Sequence, residues 1–254
     1  PANPELRLGL ITLLVEGGSS ADALRELDLY DALAPGDARA EHWRARALLA
    51  LERAAEAEDV LRAATAPSSL ALRGRLREER GDFAGAGEDY AEATRLAPTI
   101  DLDLSLQRML EREGRFEEAA LVLEAGVRRS GAAVLRVEAA ELARRTGRYE
   151  RALAHVDALI EATPNATLWR VMRAAILRDA GRNADARREL RLATSLAERM
   201  VERRGTPLSL VERARVRFEL GQIDAARLDL EQALRLAPDL LAARRLLASV
   251  EASR

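Results

Sequence analysis

Residues 81–86 have the sequence Gly-Asp-Phe-Ala-Gly-Ala, and the same pattern, a glycine followed five residues later by an alanine, recurs along the chain. The clearest copies begin at Gly81, Gly114, Gly147 and Gly181; Gly221 begins a fifth, Gly18 a weaker sixth, and Glu52 a degenerate seventh. The spacing is 33 residues from 81 to 114 and from 114 to 147, 34 from 147 to 181, and 40 from 181 to 221. A fixed period of about 20 to 50 residues is typical of a solenoid, in which each unit buries its apolar face against the next.

The segment 67–99 shows how one repeat is expected to fold. Residues 70–80 have the apolar spacing of a first helix, and Gly81 ends it because glycine adopts the left-handed C-terminal conformation without a steric penalty. Residues 83–96 form a second predicted helix, which ends before Pro98 because the residue preceding a proline is disfavoured in helical geometry. The repeat is therefore predicted to be a helix–turn–helix hairpin.

These residues resemble the tetratricopeptide repeat family, whose degenerate unit is about 34 residues long. The small, glycine, aromatic and proline positions of that family fall, in this segment, on Gly74, Gly81, Phe83, Ala86, Ala93 and Pro98. Other units depart from the pattern, since Asn183 and Ile223 replace the aromatic residue and Glu52 replaces the turn glycine. The resemblance covers residues 4 to about 240.

The repeats predict an all-α protein, and the resemblance implies a right-handed superhelical solenoid that forms a single domain over 1–254. The seven predicted hairpins are 4–37, 38–66, 67–99, 100–132, 133–166, 167–206 and 207–238, followed by a capping helix at 239–252. The second helix of the sixth hairpin is long. We consider two interpretations of the extra length: a helix with a solvated tip, or a protruding contact site for a partner.

The composition excludes several classes of protein. Hydrophobic residues make up 48% of the chain and charged residues 32%, which is normal for a folded protein. Cysteine and lysine are absent, so thiolate nucleophiles, disulfides and Schiff-base lysines are excluded, and the exclusive use of arginine is typical of a GC-rich bacterial genome.

The charge and the hydropathy of the sequence bear on two questions: whether the protein binds nucleic acid and whether it spans a membrane. The net charge of −2, with acids and bases interspersed, argues against nucleic-acid binding. No stretch of about 18 apolar residues exists, so no membrane span is predicted. We expect a soluble protein, with cytoplasm and periplasm both open. The first residue is Pro1 rather than methionine, which is compatible with an upstream leader or segment.

The sequence offers no pattern for catalysis or for a cofactor. The chain has two histidines, His42 and His155, which fall three predicted hairpins apart and form no metal-binding motif. Paired acids such as those at 78–79 and 117–118 are flanked by arginines, which is typical of a solvated helix face. We therefore predict no catalytic residue, no cofactor, no metal and no enzymatic activity.

The resemblance implies that the first helix of each hairpin lines an inner groove that binds peptides or helices. Arginine recurs at one equivalent position of these helices, and the predicted partner-binding residues are Arg46, Arg75, Arg108, Arg215, His42, Glu138, Glu141 and Arg178. The arginines could hold an acidic or phosphorylated segment of a protein or peptide partner, or could simply solvate the groove as the only cation in the chain. The alternative function is a scaffold or assembly subunit of a larger bacterial envelope, secretion or signalling complex. The sequence leaves the oligomeric state open.

Overall fold

The computed structural model describes residues 3–253, which form fifteen α-helices and no β-strand. In chain order these are α1 (Pro4–Glu16), α2 (Ser20–Leu33), α3 (Ala38–Ala50), α4 (Ala54–Leu61), α5 (Pro67–Glu79), α6 (Phe83–Leu96), α7 (Ile100–Arg112), α8 (Phe116–Ser130), α9 (Ala133–Arg145), α10 (Tyr149–Ala162), α11 (Thr167–Asp179), α12 (Asn183–Arg204), α13 (Pro207–Glu219), α14 (Ile223–Leu236) and α15 (Leu241–Ala252). Consecutive helices pack as hairpins, so the all-α class and the tandem hairpins predicted from the sequence are confirmed. The predicted capping helix corresponds to α15, which packs on α13 and α14.

The chain divides into two compact units, unit 1 up to Ala132 and unit 2 from Ala133. Unit 1 contains helices α1–α8 and unit 2 contains α9–α15. The prediction of a single solenoid over the whole chain stays a prediction.

The α5–α6 hairpin shows how the sequence determines the local structure. Helix α5 begins at Pro67, three residues before its predicted start, because proline is well suited to the first helical position. Gly81 adopts φ of 83° after α5, as the turn requires. The side chain of Asp82 then accepts a hydrogen bond of 3.0 Å from the backbone N–H of Gly85 and caps α6.

The second hairpin departs from this geometry at its turn. Glu52 stands where the other hairpins have glycine, and its φ is 60°. Among the described residues it is the one non-glycine residue with positive φ, a conformation that costs an L-residue about 1 kcal/mol. The following helix, α4, has 8 residues, which agrees with the short second repeat in the sequence.

Small residues allow the paired helices to pack closely in both units. Ala86 and Ala93 of α6 are fully buried, as are Ala226 and Ala233 at the same places in α14. Larger apolar side chains fill the space between successive hairpins, and the fully buried ones include Tyr30, Leu123, Ile176 and Leu230. The alanines of the recurring motif are therefore buried in the core. Differences between the surfaces of the hairpins come from their charged residues.

Candidate functional site

Three arginines of the first helices form ion pairs with the second helix of the same hairpin. Arg73 donates to Asp89, Arg173 to Glu189 and Arg213 to Asp229, with Nη–O distances of 2.6, 2.9 and 2.6 Å. The partners are 16 residues apart in each case, and all three carboxylates are buried. Such pairs join the two helices of a hairpin, and sequence reasoning missed them.

Unit 1 places four of the predicted binding residues on its first helices. Arg46 of α3 lies over the ring of Trp43, with its guanidinium carbon 4.8 Å from the ring centroid. The side chain of Arg75 on α5 is 61% exposed, and its nearest ion-pair partner is Glu79 at 3.9 Å. These contacts are long enough to leave both guanidinium groups able to bind a further anion.

Arg108 of α7 is held against the preceding hairpin. Its Nη2 lies 3.7 Å from Oε2 of Glu78 on α5. The hydroxyl of Tyr90 donates to the same carboxylate oxygen at 3.1 Å. Burial, together with the charge of Glu78, raises the pKa of Tyr90 above its ordinary range, so the hydroxyl keeps its proton at neutral pH.

A cavity of about 420 Å³ opens beside Arg75, and we call it the unit 1 cavity. Its lining residues are Pro67, Ser68, Ala71, Arg75, Tyr90, Ala97, Thr99, Asp101, Leu102 and Ser105. The wall is mainly apolar, with Arg75 and Asp101 as its charged members. Sequence reasoning named Arg75 alone, although Ala71 and Ser68 precede it by four and seven residues on the same helix face.

His42 lies between α3 and α5 in unit 1. Burial, the charge of Arg46 and, to a smaller extent, the charge of Arg75 hold the pKa of His42 below its ordinary value, and a backbone hydrogen bond with Ser68 works in the opposite direction. Its Nδ1 is buried and has no hydrogen-bond partner among residues 3–253. The imidazole is therefore neutral at physiological pH.

We expect His42→Gln to reduce the loss of stability that unit 1 shows on acidification. A lowered folded-state pKa means that the unfolded chain takes up the proton first, so stability is present above about pH 6.5 and falls as the pH drops below that value. Between about pH 7.5 and pH 5.5 the wild type should therefore lose more stability than the variant. Urea unfolding at both pH values measures it, and parallel curves for the two proteins would contradict it.

Unit 2 presents a different pattern at the corresponding positions. Arg144 pairs with Asp179 of the next hairpin at 2.5 Å and with Glu141 at 3.3 Å. Arg178 pairs with Glu219 at 3.4 Å. These five charged residues, which include the predicted Glu141 and Arg178, therefore neutralise one another within and between successive first helices.

Two predicted residues of unit 2 lack such pairs. Within the described part of the chain, Glu138 and Arg215 form no ion pair, and Nε of Arg215 is buried without a hydrogen-bond partner. Arg46, Arg75 and Arg108 belong to unit 1, whereas Arg215 belongs to unit 2. The predicted residues therefore form two separate groups, one on each unit.

The described residues contain neither a metal centre nor a membrane-spanning helix. Over residues 3–253, no group of three or more histidine, aspartate or glutamate side chains is placed to hold a metal ion. None of the helices in that range is long and apolar enough to cross a bilayer.

Comparison with known families identifies the repeats. Residues 137–198 and 209–240 each match a family model described as tetratricopeptide repeat. Both matched ranges lie in unit 2. No curated protein matches the chain by sequence. Domains built from tetratricopeptide repeats generally mediate protein–protein interaction or scaffolding.

Solved structures agree on the fold. The C-terminal part of a TPR repeat-containing protein from Cytophaga hutchinsonii aligns with a TM-score of 0.60 at 17% identity, covering 94% of this chain and 99% of that chain. A tetratricopeptide repeat protein from Parabacteroides merdae aligns with a TM-score of 0.51 at 17% identity, covering 98% of each chain. Yeast Tom70 gives a TM-score of 0.54 at 18% identity, covering 99% of this chain and 55% of Tom70. At these identities the likeness concerns the fold.

Proposed function

We propose that the protein is a non-catalytic interaction module, and that unit 1 binds an acidic extended or helical segment of a partner protein. The observation that carries the proposal is the unit 1 cavity, a mainly apolar space with an exposed arginine at its edge. Arg46, Arg75 and Arg108 supply the cationic contacts, and the cavity receives one apolar side chain of the partner. His42, which lies near Arg46 and Arg75, is neutral and adds no positive charge.

The geometry favours a peptide over a small molecule. The cavity is bordered by the first helices α5 and α7, whose exposed faces continue on both sides of it, so an extended ligand could follow them. Arginine binds carboxylates through two parallel N–H groups, which suits Asp and Glu side chains better than a single-point contact would.

We propose that unit 2 makes fewer contacts with the partner protein than unit 1 does. Arg215 and Glu138, which have no ion pair within residues 3–253, are the candidate contacts there. Glu141 and Arg178 are engaged with Arg144 and Glu219, so we assign them a supporting role in shaping the surface.

The test compares two double variants of the full chain. Arg75→Gln with Arg108→Gln should weaken partner binding by about tenfold, because two charge-assisted contacts are lost. The partner is obtained by affinity capture from the source lysate, and its purified form is titrated against each variant by isothermal calorimetry.

The matched control is Arg25→Gln with Arg95→Gln. These arginines are also exposed, lie in unit 1 and pair with an acid, but they belong to the second helices α2 and α6 and do not line the cavity. The two variants therefore have the same net charge. Equal affinity losses in both would show that binding depends on net charge alone, and an unchanged affinity in the first would move the contact elsewhere.

A scaffold role is the second candidate, and exposed leucines on the terminal helices favour it. Leu6 and Leu13 of α1 are 65% and 69% exposed, and Leu241 of α15 is 62% exposed. Apolar residues in such positions suit contacts with further subunits, for example in an envelope, secretion or signalling complex. Light scattering over a range of concentrations distinguishes this role, since a scaffold of this kind self-associates and a monomeric peptide-binding module does not.

A further inference from the structure

Helix α12 extends beyond the length of the other second helices. It has 22 residues, whereas α10 and α14 have 14 each. The core positions of α12 end at Ala197, and the helix continues through residues 198–204 before Gly205 ends it in the left-handed conformation. Within this extension Val201 packs against the core formed by α13, α14 and α15, so one face of the extension contacts the next hairpin.

A cavity of about 240 Å³ lies against this extension, and we call it the α12 cavity. It is lined by Asn165, Leu196, Arg199, Met200, Arg203 and Arg204. Leu196 and Met200 are half-buried and give the cavity an apolar wall, while the arginines are exposed at its rim. Asn165 adds an amide that can both donate and accept hydrogen bonds.

The three arginines of the α12 cavity lie together near the end of the helix, without an acidic partner in the described part of the chain. Arg199 donates to Ser195 Oγ at 2.6 Å, and no carboxylate among residues 3–253 pairs with any of the three. At the other end of the same helix, Arg182 and Arg188 both pair with Asp185. The local charge of the cavity is therefore positive in a protein whose net charge is −2.

The helix terminus explains only part of this arrangement. The C-terminal end of a helix attracts cations within its last turn, which accounts for Arg203 and Arg204. Arg199 lies one turn earlier, and the charge of Glu198, which precedes it, acts on Arg213 of α13 instead. Neither fact accounts for the position of Leu196 and Met200 beside the guanidinium groups.

We propose that the α12 cavity binds an acidic segment of a partner protein. An aliphatic side chain of the partner packs on Leu196 and Met200, and its flanking carboxylates bind Arg199, Arg203 and Arg204. A protein segment fits better than a nucleic acid, because no aromatic side chain lines the cavity to stack on a base. This site does not include Arg215 or Glu138, the contacts proposed for unit 2, or any residue of unit 1. Its test is therefore independent of the binding proposed for unit 1.

The experiment titrates the full chain against a short fluorescein-labelled peptide in which aspartates and glutamates flank one leucine. Fluorescence anisotropy at low and moderate salt measures binding and its electrostatic share. The triple variant Arg199→Gln, Arg203→Gln, Arg204→Gln should bind about tenfold more weakly or worse. The control replaces Arg187, Arg188 and Arg191 by glutamine; these are exposed on the same helix outside the cavity, and their loss should cost less than about threefold.

A second variant tests the apolar wall without changing the charge. Met200→Gln should weaken binding of the leucine peptide and leave binding of a matching serine peptide unchanged. Because Met200 is half-buried near a helix end, this variant is expected to fold normally, and its circular dichroism spectrum is the check.

Three results would overturn the proposal. The first is that the wild-type protein does not bind the peptide, and the second is that both triple variants lose affinity equally. The third is that an oligo-dT strand binds more tightly than the peptide and shows the same dependence on Arg199, Arg203 and Arg204, which would indicate a nucleic-acid ligand instead.

Discussion

Replacing Gly74 with leucine is expected to lower the free energy of unfolding of unit 1 by about 3 kcal/mol or more. Gly74 is buried where α5 crosses α6, and a Cβ placed there would lie 3.0 Å from Cε1 of Tyr90 and 3.2 Å from Cβ of Asp89. Three further carbon atoms have no space. Making room displaces Asp89, which pairs with Arg73, so overpacking and a weakened ion pair act together.

The measurement uses the two tryptophans of the chain. Trp43 lies in unit 1 and Trp169 in unit 2, so in a Trp169→Phe background the intrinsic fluorescence reports on unit 1. Urea unfolding followed by this signal should show a lower midpoint for Gly74→Leu.

Gly9→Leu is the matched control for this substitution. Gly9 is exposed in the middle of α1, and a Cβ there would meet nothing within 4 Å. The change should therefore raise stability by up to about 1 kcal/mol through helix propensity alone. A loss of similar size at both glycines would show that close packing at Gly74 is unimportant.

Gly74 also shows what the sequence could predict. Its place in the repeat pattern predicted a small residue where two helices meet, and the recurring glycines and alanines likewise predicted the hairpins. These predictions succeed because backbone conformation and helix contact are local properties, which repeat with the sequence period.

The ion pairs inside the hairpins could not be found by the same reasoning. The charge pattern of the sequence indicates solvated helix faces, on which arginines and acids pair over three or four residues. The actual partners are 16 residues apart, across the interhelical turn. One signal was present: an acid occupies the same place of the second helix in four hairpins, namely Glu26, Asp89, Glu189 and Asp229.

The two cavities were beyond sequence reasoning for a different reason. The unit 1 cavity depends on the separation of α5 and α7 and on the side-chain direction of Tyr90. The sequence did indicate the extra length of α12, but not the cavity beside it. Spacing between helices arises from packing, and no single-residue pattern encodes it.

Asp229→Asn is expected to lower the free energy of unfolding of unit 2 by about 3 kcal/mol. The carboxylate is 4% exposed and accepts from Arg213 at 2.6 Å and from Arg217 at 2.8 Å. Removing its charge leaves two partly buried guanidinium groups facing an amide. Breaking a buried ion pair from one side costs more than the pair contributes, because the remaining charge stays desolvated. In a Trp43→Phe background, Trp169 fluorescence during urea unfolding measures the change.

Glu231→Gln provides the control on the same helix. Glu231 pairs with Arg227 at 3.5 Å on the surface of α14, so its neutralisation should change stability by about 0.5 kcal/mol at most. Both variants alter the net charge equally, and comparable destabilisation by the two would mean that burial of Asp229 has no special effect.

The double variant Asp229→Asn, Arg213→Gln separates two contributions to the loss of stability. One is the lost attraction between the charges, and the other is the cost of burying an unpaired charge. If the loss in Asp229→Asn comes mainly from the desolvated guanidinium groups, adding Arg213→Gln should recover part of it. If the loss comes from the attraction between the charges, Arg213→Gln should add little in the Asp229→Asn background, although it is destabilising alone. The coupling energy from this cycle therefore decides whether the buried pair stabilises the hairpin or only tolerates its own charges.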